Sequence, residues 1–427
     1  MRRSARYRVL LASLVVFTVA VCFAPVGAQK KITIATHWGA NQKEYLDVFI
    51  EEYNRLNPDV QVEHVTFITS VDITEYLNQA LVAHAGGAAP DILHIYSLWG
   101  FELADQGVIV PVPDDVAAQV RDNFVAAAVE GASIHGTLYG IPTEIQNYML
   151  LYNKAHLGEI GYTAPPETWD EMVRVARNLT RFDDQGNVVR HGFAFMSGWD
   201  SAVVHPYLAI MHAEGGKLFS DDYTEVLLDT PEALRALEIQ LRMFREAHAG
   251  TAYSGFPSGQ VSMVVMAPWW KSQLAAIMGS DFDNVGVAPL PRGEAGLATT
   301  AYTWFWAVDS SSPNQEEAWK FLQWLNSLHD PFEPSRMGTF LVQTGLIPGR
   351  PADVQANAEV VLDGFMAPFV HALEYSIPEP IVYRGQDIKI ILQREIEAAW
   401  QGVKPPGNAL LDAKRQIDAI LAEYYGK

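Results

Sequence analysis

Cysteine and basic charge are both scarce in this chain of 427 residues, which has one cysteine and 30 lysines and arginines against 50 aspartates and glutamates. A chain with so few thiols has almost nothing to mispair in an oxidising compartment, which suits an exported protein. The phosphates of nucleic acid demand a basic stripe, so the acidic excess argues against a nucleic-acid partner. The excess also disfavours an anionic ligand by steering, although a local basic pocket could override the bulk field.

The common catalytic motifs are absent as well. We find no HExxH, no GxGxxG after a strand, no Walker loop, no GxSxG, and no histidine pair four residues apart on a predicted helix. We therefore expect no enzyme, no metal site and no cofactor. A glycosidase needs two carboxylates that converge across the scissile bond, and Glu144 and Asp200 keep that alternative open.

The N-terminus has the physical features of a secretion signal. Four arginines precede an apolar run at residues 9–23, and small residues at 26–28 provide a cleavage site, so we expect a signal peptide over 1–28 and a mature chain from Gln29. The run is shorter than the roughly 20 residues that span a bilayer. Lipidation of Cys22 is the less favoured alternative. Cleavage leaves 26 basic and 50 acidic residues, a net charge of −24.

The rest of the chain reads as a two-domain α/β protein, because 427 residues exceed the size at which a single core keeps growing. The patterns predict strands at 31–36, 60–65 and 90–95 and helices at 41–56 and 73–84. Alternating strands and helices indicate a mostly parallel sheet with ligands at the carboxyl ends of its strands. The first helix is expected to bury a stripe of Tyr45, Phe49, Tyr53 and Leu56.

The stretch at residues 136–180 organises the chain. It predicts a strand at Met149–Asn153, a short helical turn at 154–160, and a helix that begins at Thr168. Thr168 can accept from the first turn while Glu171 reaches back to the cap, which is a capping box. None of these residues forms a catalytic arrangement.

This stretch, "YGIPTEIQNYMLLYNKAHLGEIGYTAPPETWDEMVRVARNLT", resembles the central signature of the extracellular solute-binding proteins of carbohydrate ABC importers, the family that includes maltose-binding protein. Two further runs are similar to the family's first strands and helices, "ITIATHWG" and "GGAAPDILHIYSLWGFELADQGVIVPV". The resemblance implies a type II periplasmic-binding-protein fold, in which two α/β lobes joined by hinge crossings enclose a ligand cleft.

Three crossings divide the chain into lobes under this resemblance. The N-terminal lobe is expected at 29–140 and 289–335, and the C-terminal lobe at 141–288 and 336–427. The strand "TTAYTWFWAV" departs from the family, because Thr and Tyr stand where two glycines usually open it. This substitution puts bulk near the cleft.

Aromatic residues beside polar ones make the case for a ligand. Sugars present flat C–H faces and hydroxyl rims, so a binder needs aromatic platforms with polar groups beside them. In "GQVSMVVMAPWWKSQLA" the resemblance places Trp269 in the sugar site. Core packing is the alternative for every other tryptophan. The candidate ligand-binding residues are Trp38, Asn41, Tyr96, Glu144, Trp199, Asp200, Trp269, Trp270, Trp304, Tyr383 and Arg384.

We expect a bacterial binding protein of the periplasm or cell surface, monomeric, that closes two lobes around a sugar or short oligosaccharide. The resemblance implies that the closed form docks on the membrane permease of an ABC transporter. A non-sugar solute on the same fold is the first alternative, either a glycerol phosphodiester, a polyamine or a peptide. A secreted glycoside-active enzyme and a structural surface protein are the others.

Overall fold

The structure is a computed structural model that describes residues 29–66 and 73–426. The predicted signal peptide at 1–28, with Cys22 inside it, lies outside the described residues. Asn41 falls within a described helix, but its side chain is outside the described part of the chain. None of the helices in the two described ranges is long and apolar enough to cross a membrane.

Strands and helices alternate in the first part of the described chain, and helices predominate in the last part. The strands are β1 (Lys30–Thr36), β2 (Val60–Thr66), β3 (Ile92–Tyr96), β4 (Ser133–Ile134), β5 (Thr137–Leu138), β6 (Ile141–Asn147), β7 (Met149–Asn153), β8 (Arg181–Phe182), β9 (Val188–Arg190), β10 (Met263–Met266), β11 (Val285–Ala288), β12 (Thr299–Val308) and β13 (Ser376–Pro378). The α-helices are α1 (Ala40–Leu56), α2 (Ile73–Ala85), α3 (Gly100–Asp105), α4 (Asp114–Asn123), α5 (Ala126–Gly131), α6 (Lys154–Glu159), α7 (Trp169–Leu179), α8 (Asp200–Ala213), α9 (Pro231–Ala247), α10 (Lys271–Met278), α11 (Gln315–Leu325), α12 (Arg336–Gln343), α13 (Pro351–Ala356), α14 (Ala358–Val361), α15 (Ala367–His371), α16 (Gly385–Trp400) and α17 (Pro406–Tyr424).

The larger sheet has the strand order β13-β12-β3-β1-β2, and β6 also pairs with β12. β1 runs parallel to β2 and β3, whereas β12 runs antiparallel to β3 and β6. Helices α1, α11 and α12 bury their apolar sides here, together with the strand residues Ile34, Ile95 and Phe305. We call this set of side chains the first core, and the larger sheet with its helices the first lobe.

The smaller sheet has the antiparallel order β10-β7-β11. Successive side chains of a strand point to opposite faces, and both faces of this sheet are buried. Leu150 of β7 packs with helices α7, α8, α9, α16 and α17 in the second core, while Met149 and Leu151 pack on the other side in the third core. The sheet and these two cores form the second lobe.

The chain passes between the lobes at several places. Tyr148 alone separates β6 of the larger sheet from β7 of the smaller one. The second passage joins β11 to β12. The third runs past Ile347, whose carbonyl accepts from the N–H of Ile145 at 2.9 Å. These passages give the mixed α/β, two-lobe type II architecture that the sequence predicts.

Two segments pack differently from the expected lobe boundaries at 140/141 and 335/336. β6 hydrogen-bonds to β12 and so belongs to the larger sheet, because a strand goes with the sheet that satisfies its backbone. Helix α12 buries Met337, Phe340 and Leu341 in the first core. Both segments therefore lie with the first lobe.

Local predictions succeed where the signal is short-range. The strand predicted at Met149–Asn153 is β7, residue for residue, and α7 begins after Thr168, whose hydroxyl accepts from the N–H of Glu171 at 3.3 Å. The carboxylate of Glu171, however, accepts from the N–H of Glu167 at 3.0 Å and not from the cap. The stripe predicted for α1 is wrong at Tyr45 and Leu56, which are exposed, because the side that faces the sheet carries Leu46, Ile50 and Tyr53.

Candidate functional site

One face of the β6–β12 pair is turned towards the second lobe. Alternation along β6 puts Glu144 and Gln146 on the same face, and Gln146 lies opposite Tyr302 in the strand register. Gln146 is 1% exposed, and neither its amide nitrogen nor its amide oxygen has a hydrogen-bond partner among the described residues. Because buried amides are almost always hydrogen-bonded, this side chain is suited to meet a polar ligand.

Aromatic rings continue this face across to the second lobe. The Trp304 ring stacks on His37 at 3.7 Å and on Tyr96 at 5.4 Å between centroids. Tyr302 meets Tyr96 edge-on at 5.8 Å. On the other side, Trp269 packs against all three cores and meets Trp199 at 5.9 Å. Trp304 and Trp269 both pack with the first core, and we call the two sets of rings together the aromatic wall. Its members are Tyr96, Trp199, Trp269, Tyr302 and Trp304.

A buried ionic cluster lies beside the aromatic wall and joins the lobes. The ammonium of Lys389 on α16 lies 2.8 Å from the Glu379 carboxylate and donates to the Tyr96 hydroxyl at 2.8 Å. His205 Nε2 of α8 lies 3.0 Å from Glu379 as well. The Tyr96 hydroxyl in turn donates to Glu379. The backbone N–H of Glu379 bonds to Ala301 of β12, so the carboxylate is held by the first lobe and its cationic partner by the second.

The groups of this ionic cluster shift one another's pKa values. Burial opposes ionisation of Glu379, but Lys389 and His205 outweigh it and hold the pKa of this carboxyl well below its usual value. Burial lowers the pKa of His205, and the Lys389 charge lowers it further. A neutral His205 accordingly sits between a charged lysine and a charged glutamate. Its Nδ1 atom is buried and has no partner among the described residues.

Glu144 belongs to a separate network beneath the first lobe's end of the aromatic wall. Its carboxylate accepts from the Thr143 hydroxyl and lies 3.8 Å from Nε2 of His94. His94 is fully buried, and its Nδ1 lies 3.2 Å from Nδ1 of His37. Burial raises the pKa of Glu144 to about 7, against the smaller opposing effect of Thr143. The group therefore titrates near neutral pH.

Asp200 contributes to another contact between the lobes. Its carboxylate accepts from the Gln386 amide at 2.5 Å, and the Gln386 oxygen accepts from the Trp99 indole at 3.0 Å. Trp99 packs in the first core, whereas Asp200 and Gln386 begin helices of the second lobe. Asp200 is thus linked through Gln386 to Trp99 of the first lobe.

The family model described as "Bacterial extracellular solute-binding protein" matches residues 39–327, more than half of the chain. The chain belongs to this family. The match confirms the family and the binding role that the sequence predicts. The family is named for solute binding, as is the maltotriose-binding relative described below, and the word "extracellular" in the family name places its members outside the cytoplasm.

Sequence relatives and solved structures agree with the family. The maltotriose-binding protein of Pyrococcus abyssi is 24% identical over 414 residues, which cover 92% of this chain and 81% of the relative. The structure of the GacH receptor of Streptomyces glaucescens superposes with a TM-score of 0.79 at 20% identity, covering 93% of this chain and 99% of that one. A maltose-bound T. maritima protein gives a TM-score of 0.76 at 23% identity, covering 91% and 99%. These structures confirm the predicted fold class.

The solute-binding protein brings only some of the predicted residues together. Tyr96, Trp199, Trp269 and Trp304 lie in the aromatic wall, with Glu144 and Asp200 close to it in the networks above. Trp38 is 4% exposed and packs in the first core against Phe340 at 4.5 Å. Trp270 is 2% exposed and packs in the third core against Tyr253 at 5.2 Å.

Tyr383 and Arg384 also lie away from the aromatic wall. The Tyr383 ring stacks on Tyr424 at 5.1 Å, near the end of the last helix. Arg384 is partly exposed and pairs with Asp387 at 2.7 Å and Glu423 at 3.2 Å. The Tyr383 ring also meets Phe101 of α3 at 6.0 Å. The chain turns at Arg384, which has a positive φ of 52°, just before α16 begins.

Sequence reasoning missed the polar half of the site. Glu379 and Lys389 lie ten positions apart and meet His205 only through the tertiary fold. The alternation of Glu144 with Gln146 in β6 was a usable signal, and so was the Tyr that replaces an expected glycine in β12. The missed residues are Gln146, Tyr302, Glu379 and Lys389.

Proposed function

We propose that this protein captures a neutral sugar between its lobes and delivers it to the permease of an ABC importer. One observation carries the proposal: the Gln146 amide is buried beside Tyr302 of the aromatic wall and has no hydrogen-bond partner in the part of the chain that the structure describes. An amide offers one acceptor and two donors, and every sugar hydroxyl can both give and accept a hydrogen bond. Aromatic rings beside it offer flat faces for the C–H surface of a sugar ring.

The relatives support a carbohydrate ligand. They include proteins named for binding maltotriose and arabinooligosaccharide, and structural neighbours that hold α-D-tagatose or maltose. The charges of the site agree with a neutral ligand. Lys389 is the cation of the ionic cluster, and Glu379 already neutralises it. A phosphodiester would need a free cation there, so this alternative is disfavoured.

Binding proceeds by closure of the lobes. A ligand stabilises the closed form only to the extent that it binds that form better than the open one. Trp269 and Trp199 are the members of the aromatic wall that the second lobe supplies, and Trp269 also packs against the first core, so a sugar between the lobes gains contacts from both on closure. The ionic cluster is completed in the same motion, because its carboxylate and its ammonium come from different lobes.

The remaining features of the proposal follow the sequence. We place the signal peptide at 1–28, the mature protein in the periplasm or at the cell surface, and the permease subunits as its partners. We propose that the protein works as a monomer that binds its ligand unchanged and catalyses no reaction. For the lobe boundaries we keep the passages near 148 and 288 and assign β6 and α12 to the first lobe.

Calorimetry against a panel of monosaccharides, polyols and short oligosaccharides tests the proposal. We expect one sugar series to bind, and Trp269→Ala to weaken that binding by roughly 30-fold or more, as for a central interface residue. Gln146→Leu should weaken it by roughly tenfold or more, since it removes the donor and the acceptor without removing bulk. Trp324→Ala is the matched control, because Trp324 is a half-buried tryptophan of α11 that packs against the first core.

Two results would contradict the proposal. If no sugar or polyol of the panel binds, the ligand class is wrong. If Trp269→Ala and Trp324→Ala have equal affinities, a ligand binds but not on the aromatic wall. Incubation with the bound sugar, followed by product analysis, separates a binding protein from a glycosidase.

A further inference from the structure

Tyr302 packs at the junction of the two lobes. It projects from β12 of the first lobe, opposite Gln146, and packs against both the first and the second core. Its ring lies nearly parallel to the His205 ring at 5.4 Å, and it meets Tyr148 at 5.9 Å. The same ring thus contacts a strand of the first lobe, a helix of the second, and the residue that separates β6 from β7.

Tyr302 shares its packing with Trp269 of the second lobe. Both side chains are partly buried and pack against the first core and the second core. Trp269 belongs to the 3-10 helix Pro268–Trp270 that follows β10. Tyr302 and Trp269 therefore both bridge the two lobes.

Four of the buried polar atoms that have no partner among the described residues adjoin this ring. They are the amide nitrogen and oxygen of Gln146, Nδ1 of His205 and the hydroxyl of Tyr148. Gln146 adjoins Tyr302 by strand register, and His205 and Tyr148 adjoin it by ring contact. A group of this size suits the hydroxyls of one sugar ring. A second ring would have to enter the volume that the Tyr302 side chain fills.

We propose that Tyr302 determines ligand length and restricts the site to a single sugar or polyol unit. The side chain acts as a wall at the end of the site. A ligand with one ring lies against its face and reaches Gln146 and His205, whereas a disaccharide meets the phenol ring before the lobes can close. This inference rests on the proposed sugar-binding function and adds the size class of the sugar.

The test is a comparison of chain lengths within one sugar series. Calorimetry is carried out on the full mature protein with glucose, maltose and maltotriose, and with mannose and mannobiose. For the wild-type protein we expect the monosaccharide of the bound series to bind roughly tenfold or more tightly than its disaccharide. Tyr302→Gly should remove that preference by opening space for the second unit.

Tyr302→Phe is the matched control, because it keeps the ring and loses only the hydroxyl. This variant should retain the wild-type preference for the monosaccharide, even where its overall affinity falls. Tyr302→Ala opens nearly the same space as Tyr302→Gly without added backbone freedom, and serves if the glycine variant fails to fold. Melting temperatures without ligand report whether each variant is folded.

The outcomes separate this inference from the proposed function. If the wild-type protein binds a disaccharide or trisaccharide at least as tightly as the monosaccharide, Tyr302 does not limit length, while sugar binding itself stands. The same conclusion follows if Tyr302→Gly and Tyr302→Ala keep the wild-type preference. If neither series binds to the wild-type protein, the inference falls together with the assignment of these sugars.

Discussion

Arg350 and Lys389 are both almost fully buried cations, yet their partners come from different parts of the molecule. Arg350 donates to the side chain of Asn123 at 3.0 Å, to carbonyls of the loop between α11 and α12, and to Asp353 at 3.4 Å. All these segments pack with the first lobe. Lys389 instead lies on a helix of the second lobe and meets Glu379 and Tyr96 of the first.

The difference separates two uses of a buried charge. A buried cation needs a nearby anion and further hydrogen bonds, because its desolvation is costly. Arg350 keeps its partners in every arrangement of the lobes, so it stabilises the fold. We expect Lys389 to lose Glu379 and Tyr96 and to return to water when the lobes separate, so that it stabilises closure. Four measurements test this difference.

The largest expected effect is on folding. Arg350→Met should lower the free energy of unfolding by about 3–5 kcal/mol, because it leaves Asp353 and several loop carbonyls buried without their cation. Chemical denaturation of the ligand-free protein measures this. Arg336→Met is the control, since Arg336 is partly exposed and pairs with Glu52 at the surface, and it should cost about 1 kcal/mol or less. An equal loss of unfolding free energy in the two variants would contradict the structural role of Arg350.

The next effect separates closure from folding. Lys389→Met should raise the Kd for the bound sugar by roughly 10- to 100-fold, because the closed form would bury Glu379 without its cation. Ligand-free stability should fall less than in Arg350→Met. Lys404→Met is the control, because Lys404 pairs with Glu395 and Asp412 within the second lobe. If Lys389→Met binds the sugar with the wild-type Kd but is less stable, then Lys389 stabilises the fold, as Arg350 does, and not closure.

A pH series tests the buried carboxyl of the first lobe. Burial raises the pKa of Glu144 to about 7 from 4.5, so the folded protein holds a proton that the unfolded chain has lost between these values. The stability from protonated Glu144 is complete below about pH 4.5 and is lost as the pH rises through about 7. Relative to the wild type, Glu144→Gln should therefore gain on the order of 3 kcal/mol on going from pH 4.5 to pH 8.

The stability of the variant is compared with that of the wild type because the nearby histidines change stability with pH in the opposite direction. Burial lowers the pKa of His94 and His37, so their contribution is lost as the pH falls. Subtracting the wild-type curve from the Glu144→Gln curve cancels that contribution. A difference that stays constant between pH 4.5 and pH 8 would show that folding does not raise the pKa of Glu144. Glu316→Gln, on the exposed surface of α11, is the control.

The smallest expected effect lies inside the second lobe. Thr168→Ala should lower the free energy of unfolding by about 1 kcal/mol, because the hydroxyl caps α7 by accepting from Glu171. The sugar Kd should not change, since the cap lies within one lobe and contacts no part of the aromatic wall. Thermal unfolding and calorimetry on the same sample measure both quantities. A changed Kd would mean that local stability of this lobe affects closure.

The sequence predicts those parts of the fold that depend on neighbours along the chain. β7 and the cap of α7 could be read from spacing, and the family resemblance supplied the two-lobe arrangement. The pairing of β6 with β12 could not be read from local sequence, because it joins residues more than 150 positions apart. The inward side of α1 failed because its helix carries apolar residues on more than one side, and only the sheet selects Leu46 and Ile50 over Tyr45.

The candidate site also has a part that local sequence predicts and a part that it does not. Tryptophans at strand ends could be named in advance, and four predicted residues lie in the aromatic wall. Tyr383 and Arg384 have the same local pattern but end near the last helix, since nothing in the local sequence tells one strand end or turn from another. Gln146, His205 and Lys389 become recognisable only when burial and missing or shared partners are known.

Tyr148, the single residue between β6 and β7, belongs both to a connection between the lobes and to the packing around the candidate site. A hinge of this length has only the backbone torsions of one residue and its two neighbours to rotate. Its ring also rests on Tyr302 and His205, 5.9 and 5.0 Å away. Rotation that opens the lobes must therefore shift the packing around the ligand at once. Release of cargo would then need no separate trigger, because the pivot is itself part of the enclosure.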